Sequence, residues 1–206
     1  MQKSTLKFLK DETNIVSGTL STQLTQNIAL KNKQLSFYCF GATSRIILKS
    51  VIHAYNTNKG KTPRSRYRDL YLMASLVERK FFLKNLVKIL EIFEGSVYVF
   101  YSNSDAIAGL VGVLLGVSEP LCSNLFDYEA VALLFKDKRK HTYYGGESKE
   151  TFLKWLKTKL VFLDASDELS GFDSGKGYSE KFDCLLELAL KHQESMRNQS
   201  RLAELV

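Results

Sequence analysis

The sequence predicts an α+β fold: a single helix-rich mixed domain over residues 1–206 with a small, mostly antiparallel sheet. Three observations lead there. The length suits one domain, and Pro63 and Pro120 are its only prolines, so no Pro-rich linker divides the chain. Apolar stripes at helical spacing recur along most of it. Only two or three runs, LSFYCF and SVYVFY foremost, have the length and the aromatic or β-branched content of strands.

Taken in order, Thr5 to Leu9 reads as a short strand, and the polar stretch to about Gln26 has little pattern. Leu35 to Phe40 reads as a buried strand broken by Gly41. Thr43 or Ser44 then caps a helix through about Asn56, striped by Ile47, Val51 and Tyr55. Ser65 caps a second helix with Leu70, Met73, Ala74 and Val77 on one side, and Glu78 to Lys80 mark a turn. A third helix carries Phe82, Leu83, Leu86, Val87, Leu90 and Phe93. Gly95 ends it, and Ser96 to Tyr101 is a strand.

Ser104 caps a glycine-bearing helix to Gly116, which Pro120 stops. Asp127 caps the short YEAVALLFK helix. Ser148 opens an amphipathic segment with Phe152, Trp155 and Leu156 inside and Lys154, Lys157 and Lys159 outside. Residues 170–179 form a flexible loop after the apolar KLVFLDA, and Ser179 caps a last helix buried through Phe182, Leu185, Leu186 and Ala189. Residues 193–206 form a polar tail that frays.

Charge narrows the function classes. Twenty-nine Lys and Arg against 22 Asp and Glu leave +7, which favours a nucleic acid or an acidic surface as partner. Cys39, Cys122 and Cys184 are odd in number and lie among apolar neighbours, without a C-x-x-C pair, as in a reducing compartment. The longest apolar run, Ala106 to Val117, is too short to cross a bilayer. A protein without a membrane partner, in the cytoplasm or nucleus, is expected.

Motifs for catalysis fall short, so no catalytic residue, metal ligand or cofactor is expected. In GFDSGKG, Gly171 to Gly177, only three residues separate Gly171 from Gly175, and glycine follows the lysine. A phosphate-binding P-loop needs four residues there, and Ser or Thr after the lysine to hold magnesium. His53, His141 and His192 lie in different elements, with no metal-ligand spacing.

The basic clusters are the candidate site. Lys59, Lys61, Arg64, Arg66 and Arg68 fall within ten residues that hold no acid, at the start of the expected second helix. Helix-start amides among arginines can hold phosphate, and Tyr55 and Tyr67 can stack on bases if exposed. Lys138, Arg139 and Lys140 form a second patch. RNA is the expected ligand.

The order of features resembles the small PRPK-binding-protein-like (Cgi-type) subunit of the KEOPS complex. The residues are LSFYCF, then His53, Ala54 and Asn56, the basic loop, Asp69 to Ser75, Leu83 to Leu90, Val97 to Tyr101, and the closing LLELAL at 185–190. The family usually has glutamate where Asp69 stands, and the segment from about Pro120 to Gly177 is expanded. The resemblance implies a non-catalytic accessory subunit within a heteromeric complex. It would bind the kinase-like ATPase subunit through a helical face that includes Leu83, Leu86 and Leu90, and help recruit tRNA for threonylcarbamoyl-adenosine formation. The run FEGSVYVFYSNSDAIAGLVGVL also resembles the ribosomal stalk-base family, which implies a structural, rRNA-binding protein instead.

Overall fold

A computed structural model of the chain describes residues 19–20, 34–41, 43–57, 67–73, 75–102, 119, 121, 127–136, 143, 146–169 and 178–203. Strands β1 (Leu35–Phe40), β2 (Tyr67–Met73), β3 (Val97–Tyr101) and β4 (Leu160–Asp164) form one sheet in the order β1-β2-β3-β4. Helix α1 (Thr43–Thr57) links β1 to β2, and α2 (Arg79–Ile92) links β2 to β3. Between β3 and β4 lie α3 (Tyr128–Leu133) and α4 (Lys149–Lys159), and α5 (Ser166–Leu169) and α6 (Tyr178–Ala203) follow.

Every strand pair is parallel, which overturns the expected mostly antiparallel sheet. The helix-rich mixed composition stands. The reason for the correction lies in the connections. Each one carries at least one helix, and a parallel pair needs such a crossover, whereas an antiparallel pair needs only a tight turn. The expected strand at Thr5 to Leu9, the helix from Ser104 to Gly116 and nearly all of the 170–179 loop lie outside the described residues.

Two elements differ in kind from the sequence reading. The expected helix from Ser65 is strand β2, and the apolar KLVFLDA contains strand β4. Strand β2 is covered on both faces, so YRDLYLM shows no in-out alternation of polarity, and Leu70, Met73 and Val77 imitate a helical stripe. Expected helices at 43–56, 82–93 and from Asp127 and Ser148 match α1, α2, α3 and α4.

The strand side chains divide the interior in two. Leu70, Leu72, Val97 and Val99 pack with Leu48, Val51, Phe82, Leu86, Ile89, Phe152 and Leu156 of the crossover helices. A monotonic strand order with crossovers of one hand places all those helices on one face. On the opposite face Tyr71, Met73, Tyr98, Phe100, Val161 and Leu163 meet Leu185 and Ala189 of α6. These two α6 residues are fully buried and four apart, one helical turn.

A tyrosine ladder crosses this second face. Tyr38 stacks on Tyr71 at 4.6 Å and Tyr71 on Tyr98 at 4.8 Å, both pairs within 6° of parallel. The spacing is that of neighbouring strands, because the three residues share one register. Gln193 of α6 donates from Nε2 to the hydroxyls of Tyr71 and Tyr98, 3.0 Å each, and so bolts the helix to the ladder. Burial of the Tyr71 hydroxyl, with Asp69 as the nearest charge, pushes its ionisation well above the ordinary value. His192 sets its ring edge-on to Tyr98 at 6.3 Å, and burial holds the imidazole below its ordinary value of 6.5.

At the amino edge of the sheet, the turn from α2 into β3 is tied from two sides. Gly95 N donates to Arg68 O at 2.7 Å, Ser96 N donates to Asp69 Oδ1 at 2.9 Å, and Leu70 N donates to Ser96 O at 3.0 Å. Lys159, at the end of α4, donates its ammonium to the carbonyls of Phe93, Glu94 and Gly95. A Cβ on Gly95 would run into the Asp69 carboxylate and come within 2.6 Å of Arg68 O.

Gly95→Ala is therefore expected to destabilise the fold by about 2–3 kcal/mol, the cost of overpacking a fixed backbone contact. A urea midpoint equal to that of the unchanged chain would contradict this. His192 yields a pH effect. An unfolded histidine takes a proton near 6.5 and the folded one resists. Its contribution is thus whole above pH 6.5 and is lost as pH falls through the lowered folded value. His192→Gln is expected to shrink the drop in Tm between pH 7.5 and pH 5.5, and equal drops in both chains would refute it.

Candidate anion site

The carboxyl ends of parallel strands point the same way, so the helices that follow them begin side by side. Here α1 begins beyond β1 and α2 beyond β2, and the two helices pack together. Helix starts expose unpaired N–H groups and the positive end of the helix dipole. What occupies each start decides whether that end is neutralised.

Helices α3 and α4 neutralise theirs. Asp127 accepts from Glu129 N at 2.9 Å and Ser148 from Thr151 N at 3.2 Å, with Glu129 and Glu150 in the first turns. At α2 the N-cap residue is Glu78, whose side chain makes no cap bond; Arg79 and Lys80 open an acid-free first turn, and Arg79 N already donates to Glu119 O at 2.9 Å.

Helix α1 likewise has no acid in its first turn, which includes Arg45. It starts at Thr43 after an alanine, a side chain without an acceptor. The Thr43 hydroxyl turns back to β1, donating to Phe40 O at 2.7 Å and accepting from Phe40 N at 3.0 Å. Gly41, at φ 56°, makes the sharp exit from the strand that a residue with a Cβ rarely adopts. Its N–H donates to Met73 O at 3.0 Å and its carbonyl accepts from Leu76 N at 3.3 Å, which fixes the turn against the end of β2. Ser44 is fully buried, and its Oγ has no hydrogen-bond partner among the described residues. A buried, unpaired hydroxyl costs about 1–3 kcal/mol, so a ligand oxygen there would be favoured.

The other half of this edge is of opposite character. Asp164 closes β4, where its Oδ1 accepts from Ser166 N at 3.0 Å and from Ser166 Oγ at 2.6 Å. Burial, and then the neighbouring Asp164 carboxylate, raise the Tyr101 phenol above its ordinary ionisation. Among the described residues, the first turns beyond β1 and β2 carry Arg45, Arg79 and Lys80, with Glu78 at the second helix start, while Asp164 ends β4. The chemistry available is electrostatic holding of an oxyanion. Among the described residues, no group of three His, Cys, Asp or Glu side chains is placed to hold a metal ion.

Of the basic residues singled out by sequence, Arg68 is described. Arg68 lies on β2 with an exposed side chain, 3.4 Å from the Asp69 carboxylate. Lys59, Lys61, Arg64 and Arg66 fall outside the described residues, as do Lys138, Arg139 and Lys140. Thr57 and Tyr67, the described residues on either side of the first cluster, close α1 and open β2. Tyr67 is buried beside Phe37 and Phe93, not open to a base, and Tyr55 donates its hydroxyl to Glu91 at 2.8 Å. Leu86 and Leu90 are buried in this chain's own core, and half-buried Leu83 packs against it.

The acid-free start of α1 is hard to read in the sequence, because Thr43 and Ser44 look like ordinary caps. The signal is GATSR directly after a strand: a glycine exit, an alanine where a cap is usual, and an arginine where an acid is usual. No protein-family model, curated protein or solved structure matches the chain.

Proposed function

We propose that this chain is a binding module for a phosphorylated ligand, held where α1 and α2 begin. The observation that carries the reading is the acid-free first turn of α1 together with the buried Ser44 hydroxyl, which has no partner among the described residues. Arg45 and Arg79 add cationic side chains at the first turns of the two helices. One helix start contributes about 0.3–1 kcal/mol to an anion, and a hydrogen bond to a charged oxygen about 1.5–3 kcal/mol. Two or three such contacts correspond to millimolar affinity for phosphate alone, with the rest of the ligand supplying more.

A second reading keeps the chain as an RNA-associated accessory subunit, the role that the resemblance to the KEOPS small subunit implies, with tRNA and a kinase-like ATPase as partners. The net charge of +7 and the exposed Arg68 guanidinium at the end of the first cluster support it. On that reading the amino edge, not the start of α1, meets the phosphate backbone.

Titration with inorganic phosphate, followed by amide NMR shifts, is expected to move signals from residues 43–46 with a half-point of about 1–10 mM. Arg45→Glu with Arg79→Glu should remove the response. Ser44→Ala should weaken it about fivefold without lowering Tm, since the hydroxyl it removes is unpaired. No shift at 43–46, or shifts unchanged in the charge-reversed chain, would sink the proposal. For the second reading, reversing Lys59, Lys61, Arg64, Arg66 and Arg68 to Glu should abolish the tRNA gel shift at about 150 mM salt. Undiminished binding would end it.

A further inference from the structure

The tyrosine ladder runs out at an edge of the sheet. Strand β1 ends the strand order, and among the described residues no strand lies beyond it. Tyr38, the rung on β1, lays one ring face on Tyr71, and the Phe182 ring of α6 approaches it at 5.8 Å and 69°. Even so, Tyr38 is 48% exposed, so much of its outer ring face is open to solvent. A planar ring laid on that face would continue the stack at the spacing it already has.

Two observations say what kind of ring suits the place. Arg68 stands three residues before Tyr71 on the neighbouring strand, about 10 Å along it. Its exposed guanidinium turns Nε to Asp69, which leaves the terminal N–H groups for a phosphate. The other exposed large apolar side chains among the described residues, Leu133, Leu134 and Leu190, lie on or next to α3 and on α6. A protein partner is met by a contiguous apolar patch, whereas β1 offers one isolated ring beside a cation. We propose that Tyr38 is a stacking platform for a nucleobase, with Arg68 placed for a phosphate that travels with the base. Every base has a π-face, so the platform selects the ring and not the sequence. The site lies on the face that α6 covers and uses no group at the start of α1. It therefore stands apart from phosphate binding there.

A base can arrive on a free nucleotide or on a single strand, and the test separates the two. The full chain is titrated with adenosine monophosphate, ribose 5-phosphate, hexa-adenylate RNA and N-acetyltryptophanamide, with the Tyr38 ring protons followed by NMR. Both base-bearing probes are expected to move those signals upfield and to give base-to-ring NOEs, and ribose 5-phosphate to leave them in place. An RNA half-point at least about tenfold below that of the mononucleotide, rising with salt, assigns the base to a strand. Equal half-points assign it to a free nucleotide. Tyr38→Leu should weaken both base-bearing probes about tenfold while Tyr38→Phe retains them. Arg68→Gln should weaken both about threefold to tenfold. Tyr38 ring signals unmoved by both base-bearing probes, or moved as far by ribose 5-phosphate, would overturn the proposal. So would a folded Tyr38→Leu chain that binds like the original, or tighter binding of N-acetyltryptophanamide than of adenosine monophosphate.

Discussion

A wholly parallel sheet has to be covered on both faces, and the rest of this structure follows from how that is done. The crossover helices all lie on one face, so the other depends on α6, with Leu185 and Ala189 set into it and Gln193 bonded to two tyrosines. Stacked aromatic pairs contribute about 0.5–1.5 kcal/mol each beyond their burial, so the ladder adds to the sheet as well as to the helix contact. The buried hydroxyls of Tyr71 and Tyr98 are polar groups in an apolar layer, and one glutamine satisfies both. That makes Gln193 a register mark for α6 as well as a contact.

The two ends of the sheet are built on different principles. The amino edge is closed: Asp69 and Lys159 satisfy the backbone of the 93–96 turn from opposite sides, and Gly95 permits the close approach. At the carboxyl edge beyond β1 and β2 neither first turn holds an acid, and the Glu78 side chain makes no cap bond, although Arg79 N donates to Glu119 O. Capping such starts contributes about 1 kcal/mol apiece, and α3 and α4 show that this chain caps helices elsewhere.

Much of the helical architecture was legible in the sequence, because one-sided helices repeat their apolar residues at the helical period. LSFYCF and SVYVFY were legible as strands through their composition. Strand β2 was not, because a strand buried on both faces loses its alternation. Strand β4 was hidden because α4 runs straight into it at Lys159 and Leu160 with no glycine or proline between. The parallel arrangement was implicit in helix-bearing connections between the strands, a stronger cue than strand count. As for the proposed site, the dense cations of residues 59–68 stand out by composition, whereas the start of α1 is marked by what its first turn lacks, an acid. Absent side chains leave a faint trace in a sequence, and only the position of the helix start shows that they are missing.

The monotonic strand order also bears on how the chain is assembled as it is made. Each new strand adds to the outer edge of those already present, and none has to insert between two earlier ones. Strands β1, β2 and β3 with α1 and α2 can therefore form early, from contacts of modest sequence separation. Yet among the described residues the cover for Tyr71, Tyr98 and Phe100 is α6, which emerges behind β4. Until then the described contacts leave this aromatic face open. During that interval the nascent chain is most exposed to mispairing and is a natural client for chaperones.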